Sequence, residues 1–153
     1  MIDSTTYVDE GSNRYLLLGA SSFVGRHLFQ ELGRSVAVGT YYNNAKKYMR
    51  YFDSVTMSLS ELIRPDERFT HAVILLGDSQ PDNCHADIIK SQQLNVTSIV
   101  NIIDALVAHN IIPVFISSQF VFDGVRGGYT EEDTVNPILV YGQQKVAVEN
   151  YLE

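Results

Sequence analysis

Short, nearly continuous apolar runs alternate along the chain with longer stretches whose apolar residues recur every three or four positions. The first run, YLLLG at 15–19, is closed by Gly19 and predicts a buried strand. FVGRHLFQELG follows, with Val24, Leu28, Phe29 and Leu32 at helical spacing and Gly33 as a stop. SVAVGTYY predicts a second strand, NNAKKYMRYF a short helix, and SVTMS a third, weaker strand. LSELIR reads as one or two helical turns ended by Pro65, and HAVILLG as another buried strand. Ile89, Val96, Ile99, Val100, Ile103, Leu106 and Val107 predict a long helix over 86–109. IIPVFISS is a fifth strand, an irregular segment runs to Ile138, and a last helix begins near Tyr141.

Strands that alternate with helices and are apolar throughout belong in a parallel sheet covered on both faces. Right-handed crossovers then favour a three-layer α/β fold, a doubly wound sheet of five strands in order 3-2-1-4-5. Ligands of such sheets bind at the carboxyl ends of the strands, near the switch between strands 1 and 4. The polar, acidic start MIDSTTYVDEGSNR has no apolar signal core and reads as a poorly ordered lead-in over 1–14. Residues 15–153 form one domain.

Composition narrows the partners. Of 153 residues, 45% are hydrophobic and 19% charged, which fits a globular chain able to bury a core. A net charge of −7 argues against nucleic acid and against acidic membrane surfaces as partners. The single cysteine, Cys84, allows no internal disulfide and suits a reducing cytoplasm. No apolar run is long enough to span a membrane, and no metal site is expected.

GASSFVG at 19–25 stands between a strand and a helix, the setting a dinucleotide-binding turn requires. Gly19 makes the tight turn, and Gly25 lets the helix pack close to the sheet. The helix start offers free N–H groups and a positive dipole end to a pyrophosphate. Ser22 stands where the usual pattern has its middle glycine; its side chain either crowds the phosphates or donates to them. A plain strand-to-helix turn is the alternative. No acidic residue stands at 39–44 to grip a ribose 2′-hydroxyl, while Lys46, Lys47 and Arg50 follow. This favours NADP(H), with NAD(H) possible; the alternative is a solvated basic face.

Strand 5 ends in Ser117 and Ser118, and Tyr141 and Lys145 lie one helical turn apart in VYGQQK. A tyrosine phenol has an ordinary pKa near 10, and a neighbouring ammonium favours the phenolate. A serine hydroxyl can hold a carbonyl by hydrogen bonding. Ser118, Tyr141 and Lys145 together make a candidate proton-transfer set; the alternative is a packed tyrosine and a solvated lysine.

From LLLGASSFVGRHL through VGTYYN, PDNC, LNVTSIVNIIDA and ISSQFVFDGVRGGYTEEDTVNP to VYGQQK, the chain resembles the extended short-chain dehydrogenase/reductases. Within them it resembles the dTDP-4-dehydrorhamnose reductase-like branch of the NAD-dependent epimerase/dehydratase superfamily. The motifs appear in family order from residue 15 onward, and 117–145 is the most specific part. Gln119 and Phe120 stand where dehydratases carry Asp-Glu, which argues against a dehydratase.

The resemblance implies hydride transfer from NAD(P)H to a 4-keto sugar attached to a nucleotide. Ser118 takes the place of the catalytic Ser/Thr and Tyr141 that of the proton donor. Lys145 takes the place of the lysine that tunes the tyrosine and holds the nicotinamide ribose. Asn95 matches the family's helix asparagine. Cofactor contacts are expected at Gly19, Ser21, Ser22, Phe23, Val24, Gly25, Thr40, Tyr41 and Gly77, together with Tyr141 and Lys145. The chain departs from the family at Ser22, Gln119, Gly77-Asp78 and Thr56.

Family members also continue for roughly as long again, into a sixth strand and a substrate domain. A sheet ending at strand 5 leaves an edge for another segment, a helix or a second copy to cover. The resemblance therefore supports the cofactor-binding part of a sugar-nucleotide reductase. The alternative is a non-catalytic Rossmann-like regulatory or assembly module.

Overall fold

A computed structural model describes residues 13–153, so residues 1–12 of the expected lead-in at 1–14 lie outside the described residues. Five parallel strands form one sheet: β1 (Tyr15–Leu18), β2 (Ala37–Tyr41), β3 (Met49–Tyr51), β4 (His71–Ile74) and β5 (Ile112–Phe115). Their order is β3-β2-β1-β4-β5, as the alternation of runs implies. The register places Leu16 beside Val38, Leu17 beside Val73 and Ile74 beside Phe115. Leu16, Leu17 and Leu18 are fully buried, because the central strand is covered on both faces.

Helix α1 (Phe23–Leu32) covers one face, where Leu17, Ala20, Phe29, Ala37 and Val73 pack together. Val24, expected on its apolar stripe, is exposed at the first turn; Gly25 and Phe29 are the buried residues of α1. The larger core lies on the other face. There Ile99, Ile102, Ile103 and Leu106 of α5 (Ser98–Ala108) meet Leu16, Leu18, Ile74 and Val148. Asn110, with φ of 56°, ends α5 in the left-handed conformation that asparagine tolerates.

Two expectations need correction. NNAKKYMRYF is not a helix, and the third strand is Met49–Tyr51 within it, not SVTMS. Tyr48 has a φ of 70°, which no right-handed helix accommodates. Tyr51 is an aromatic strand former and pairs with Tyr41. SVTMS instead folds around Asp53, whose carboxylate accepts from the Val55 N–H (2.9 Å) and the Thr56 hydroxyl (2.8 Å).

The long helix expected at 86–109 begins earlier and is broken. Pro81 opens α3 (Pro81–Ala86), Asp87 leaves helical geometry, and its carboxylate caps α4 (Ile88–Gln92) by accepting from the Lys90 N–H (3.0 Å). A π-helical turn, Gln93–Thr97, then joins α4 to α5. The short α2 (Leu59–Leu62) is held by a capping box between Ser58 and Glu61. A 3-10 turn, Gln119–Val121, interrupts the irregular segment, and α6 (Val140–Leu152) closes the described chain.

Candidate active site

A cleft of about 320 Å³ opens at the carboxyl ends of β1, β4 and β5. Its walls bring Ser22, Phe23 and Val24 from the glycine turn opposite Tyr141 and Lys145 of α6. The placement follows from topology, since neighbouring crossovers leave β1 and β4 in opposite directions.

On the α1 side, Gly19 has a φ of 89°, and a Cβ there would lie 2.8 Å from the Leu75 carbonyl oxygen. A Cβ on Gly25 would lie 2.6 Å from the Gly19 oxygen, so α1 sits directly against the turn. The Ser22 hydroxyl caps α1 by accepting from the Gly25 N–H (3.1 Å). The Ser21 N–H donates to the Thr40 carbonyl (3.2 Å), and the Ser22 N–H to the Gly19 carbonyl (3.0 Å). Thr40 is buried, and its hydroxyl is used inside the protein: it accepts from the Gly19 N–H (2.9 Å) and donates to the Leu17 carbonyl (3.4 Å). Among the described residues, the first two amides of α1, Phe23 and Val24, have no acceptor and are open donors at its positive end.

Tyr41, at the end of β2, packs edge-on against Tyr51 at 5.9 Å. Of the three nearby cations, Lys46 and Lys47 are exposed. Arg50 is committed elsewhere: its guanidinium donates to both Glu67 oxygens (2.7 and 2.6 Å) and to the Leu62 carbonyl (3.1 Å). This bidentate pair lowers the Glu67 carboxyl pKa, the Arg50 hydrogen bond being the main cause.

On the α6 side, Ser118 caps the 3-10 turn; its hydroxyl accepts from the Phe120 N–H (3.3 Å) and donates to Gln119 Oε1 (3.3 Å). Tyr141 is 8% exposed, with Phe120 edge-on at 5.9 Å. Lys145 Nζ donates to the Ile116 carbonyl (2.8 Å) and sits 4.4 Å from the Phe115 ring centre and 5.6 Å from that of Tyr141. The expectation that Lys145 would pull the Tyr141 phenol down is not met. Burial pushes the phenol above its ordinary value, and the Ser118 hydroxyl opposes this only in part. The Lys145 charge is turned toward Ile116, and burial lowers the lysine's own pKa.

Behind the two lies a buried network that the sequence reading missed. Gln144, 2% exposed, donates to Ser91 Oγ (2.8 Å) and accepts from Asn95 Nδ2 (2.8 Å). Asn95 Oδ1 accepts from the Asp78 N–H (2.8 Å), and Asn95 Nδ2 donates to the Asp78 carbonyl (3.0 Å). A Cβ on Gly77, whose φ is 121°, would meet Asn95 Oδ1 at 2.7 Å. The π-helical turn turns Asn95 inward and thereby ties α6 to the loop after β4. Only a polar residue on the buried face of an otherwise apolar helix pair could have signalled this from sequence.

Comparison with known proteins agrees with this geometry. The family model described as the RmlD substrate binding domain matches residues 13–153. Methionine adenosyltransferase 2 subunit beta of Rattus norvegicus is 32% identical over 149 residues, covering 88% of this chain and 41% of that protein. A hypothetical dTDP-4-dehydrorhamnose reductase from Sulfolobus tokodaii superposes with a TM-score of 0.82 at 28% identity, over 90% of this chain and 51% of that one. The dTDP-4-dehydrorhamnose reductase of Bacillus anthracis, solved with NADP, shares the fold with a TM-score of 0.77 at 22% identity, over 94% and 50%. The chain thus spans about two-fifths to half the length of these proteins. With the five-stranded order, the glycine turn and the convergence at α6 all in place, the chain belongs to the RmlD substrate-binding-domain family.

Proposed function

We propose that this chain is the cofactor-binding part of an NAD(P)-dependent reductase acting on a nucleotide-linked 4-keto sugar. The observation that carries the reading is the convergence of Tyr141 and Lys145 on one cleft with the glycine turn opposite. The residues present suit a dinucleotide. Among the described residues, the Gly19–Gly25 cradle leaves the Phe23 and Val24 amides open to a pyrophosphate, and the buried Ser117 hydroxyl on the facing wall has no partner. A nicotinamide cofactor, when bound, supplies the hydride. The solved NADP complex of the Bacillus relative supports a nicotinamide. The exposed Lys46 and Lys47 and the lack of an acidic residue at 39–44 favour NADP(H).

The chain's own residues have distinct tasks. Tyr141, held protonated by burial, gives its proton to the oxygen that becomes the hydroxyl. Ser118, whose hydroxyl caps the 3-10 turn and does not line the cleft, would have to release the Phe120 N–H to hold that oxygen. Lys145, whose ammonium donates to the Ile116 carbonyl, would hold the nicotinamide ribose of a bound cofactor. Substrate holding falls to a further segment or a second copy, because the relatives extend well beyond the matched region. Among the described residues no helix is long and apolar enough to cross a membrane, and the lone buried Cys84 fits work in the cytoplasm.

The identity to methionine adenosyltransferase 2 subunit beta supports a second reading, a non-catalytic Rossmann-like regulatory or assembly module. Titration of the chain with NADPH and NADH, followed by nucleotide fluorescence, tests the cofactor binding that the first reading requires. Saturable binding with NADPH ahead is expected; a clear preference for NADH would remove the NADP assignment, and no binding of either would remove the reductase reading.

A further inference from the structure

We propose that Ser117, one residue before the family's catalytic hydroxyl, is a direct contact for the nicotinamide end of the bound cofactor. The inference rests on the cofactor-binding reading above. Ser117 lines the cleft beside Tyr141 and Lys145, yet its Oγ is buried and has no hydrogen-bond partner among the described residues. Three other hydroxyls near the cleft are committed within the protein. Ser22 caps α1, Thr40 holds the turn, and Ser118 caps the 3-10 turn. A buried hydroxyl without a partner is unfavourable in the free protein, and a ligand that satisfies it recovers that loss on binding.

Position selects the part of the ligand. Ile116, the preceding residue, offers its carbonyl to Lys145, and Ser118 follows, so Ser117 sits within the proton-transfer set. It lies across the cleft from the Phe23 and Val24 amides that face a pyrophosphate. A hydroxyl both donates and accepts, which matches a carboxamide or a ribose hydroxyl and suits no charged phosphate better than the helix start already does.

The test is Ser117→Ala in the full chain, read three ways. NADPH should bind about three- to tenfold more weakly, the span of one neutral hydrogen bond. Adenosine 2′,5′-bisphosphate, which lacks the nicotinamide half, should bind the variant and the parent alike. The melting temperature without ligand should be unchanged or higher, since an unsatisfied hydroxyl has been removed. Unchanged NADPH affinity, equal loss for both ligands, or a lowered melting temperature would each overturn the assignment and make Ser117 a structural serine. If the parent chain binds neither NADPH nor NADH, the cofactor reading itself fails and this inference falls with it.

Discussion

Ser22 takes a hydrogen bond that a bound anion would otherwise take. Its hydroxyl accepts from the Gly25 N–H, so one first-turn donor of α1 is already used. Ser22→Gly frees that donor and opens the approach to the turn. Glycine is itself a tolerable N-cap, so the change costs only a few tenths of a kcal/mol of helix stability. The gain of one hydrogen bond to a charged phosphate is on the order of 1.5 kcal/mol. We therefore expect NADPH to bind the variant about tenfold more tightly in a fluorescence titration. Unchanged or weaker binding would show that the Ser22 side chain is not what limits the approach of the phosphates. The same scale explains Tyr141: burial holds its proton, which suits a donor at neutral pH better than a preformed phenolate would.

At the scale of elements, the approach of α6 to the 3-10 turn is set by one residue. A Cβ on Gly142 would lie 2.1 Å from the Phe120 carbonyl oxygen and 3.0 Å from Pro137 Cβ. Alanine raises helix propensity by about 1 kcal/mol, but a clash with backbone costs about 1–3 kcal/mol. Gly142→Ala should therefore lower the melting temperature by a few degrees, in thermal unfolding followed by circular dichroism; a raised temperature would mean that the turn moves freely. The irregular segment after this turn is heavily cross-bonded. Asp123 accepts from the Tyr129 hydroxyl, the Val125 N–H and Asn136 Nδ2, and these bonds lower its pKa from 3.8 to about 2. The depressed carboxyl stabilises the loop fully above its unfolded value of 3.8, and that contribution is lost as pH falls through about 2. Amide exchange at Gly127 and Gly128 should accelerate across that window in the parent and show no such step in Asp123→Asn. The apolar runs made β1, β2 and β4 legible, because a strand covered on both faces has no polar side to disguise it; β5 was legible because its exposed edge row is apolar too. β3 was misplaced because Met49–Tyr51 is a short edge strand with half-exposed side chains, so its pattern carries little signal. The π-helical turn that aims Asn95 at Gln144 was invisible, since one inserted residue leaves the apolar spacing of a helix almost unchanged.

For the whole molecule, the decisive feature is what faces outward. Ile112 and Val114 of β5, with Ile116 just beyond it, are exposed at 57%, 39% and 43%, an uncovered apolar strip at the sheet edge next to the site. The cleft beside it is open, and catalysis requires a substrate held in reactive geometry with water excluded. The chain spans about half of its solved relatives, so the groups that hold a sugar nucleotide are expected outside it. We predict that the 153-residue chain with NADPH and a 4-keto sugar nucleotide oxidises the cofactor at or near the background rate, measured by loss of absorbance at the reduced nicotinamide band. Supplied with a substrate-holding segment, in cis or as a separate chain, it should turn over, and Tyr141→Phe should then remove most of the rate while NADPH still binds. Rapid oxidation by the chain alone, abolished in Tyr141→Phe, would show that the cleft needs no further segment and would leave Tyr141 in place as the proton donor. Cofactor binding without turnover even in the extended protein would instead make the regulatory module the correct reading, because the proton donor would then have nothing to protonate.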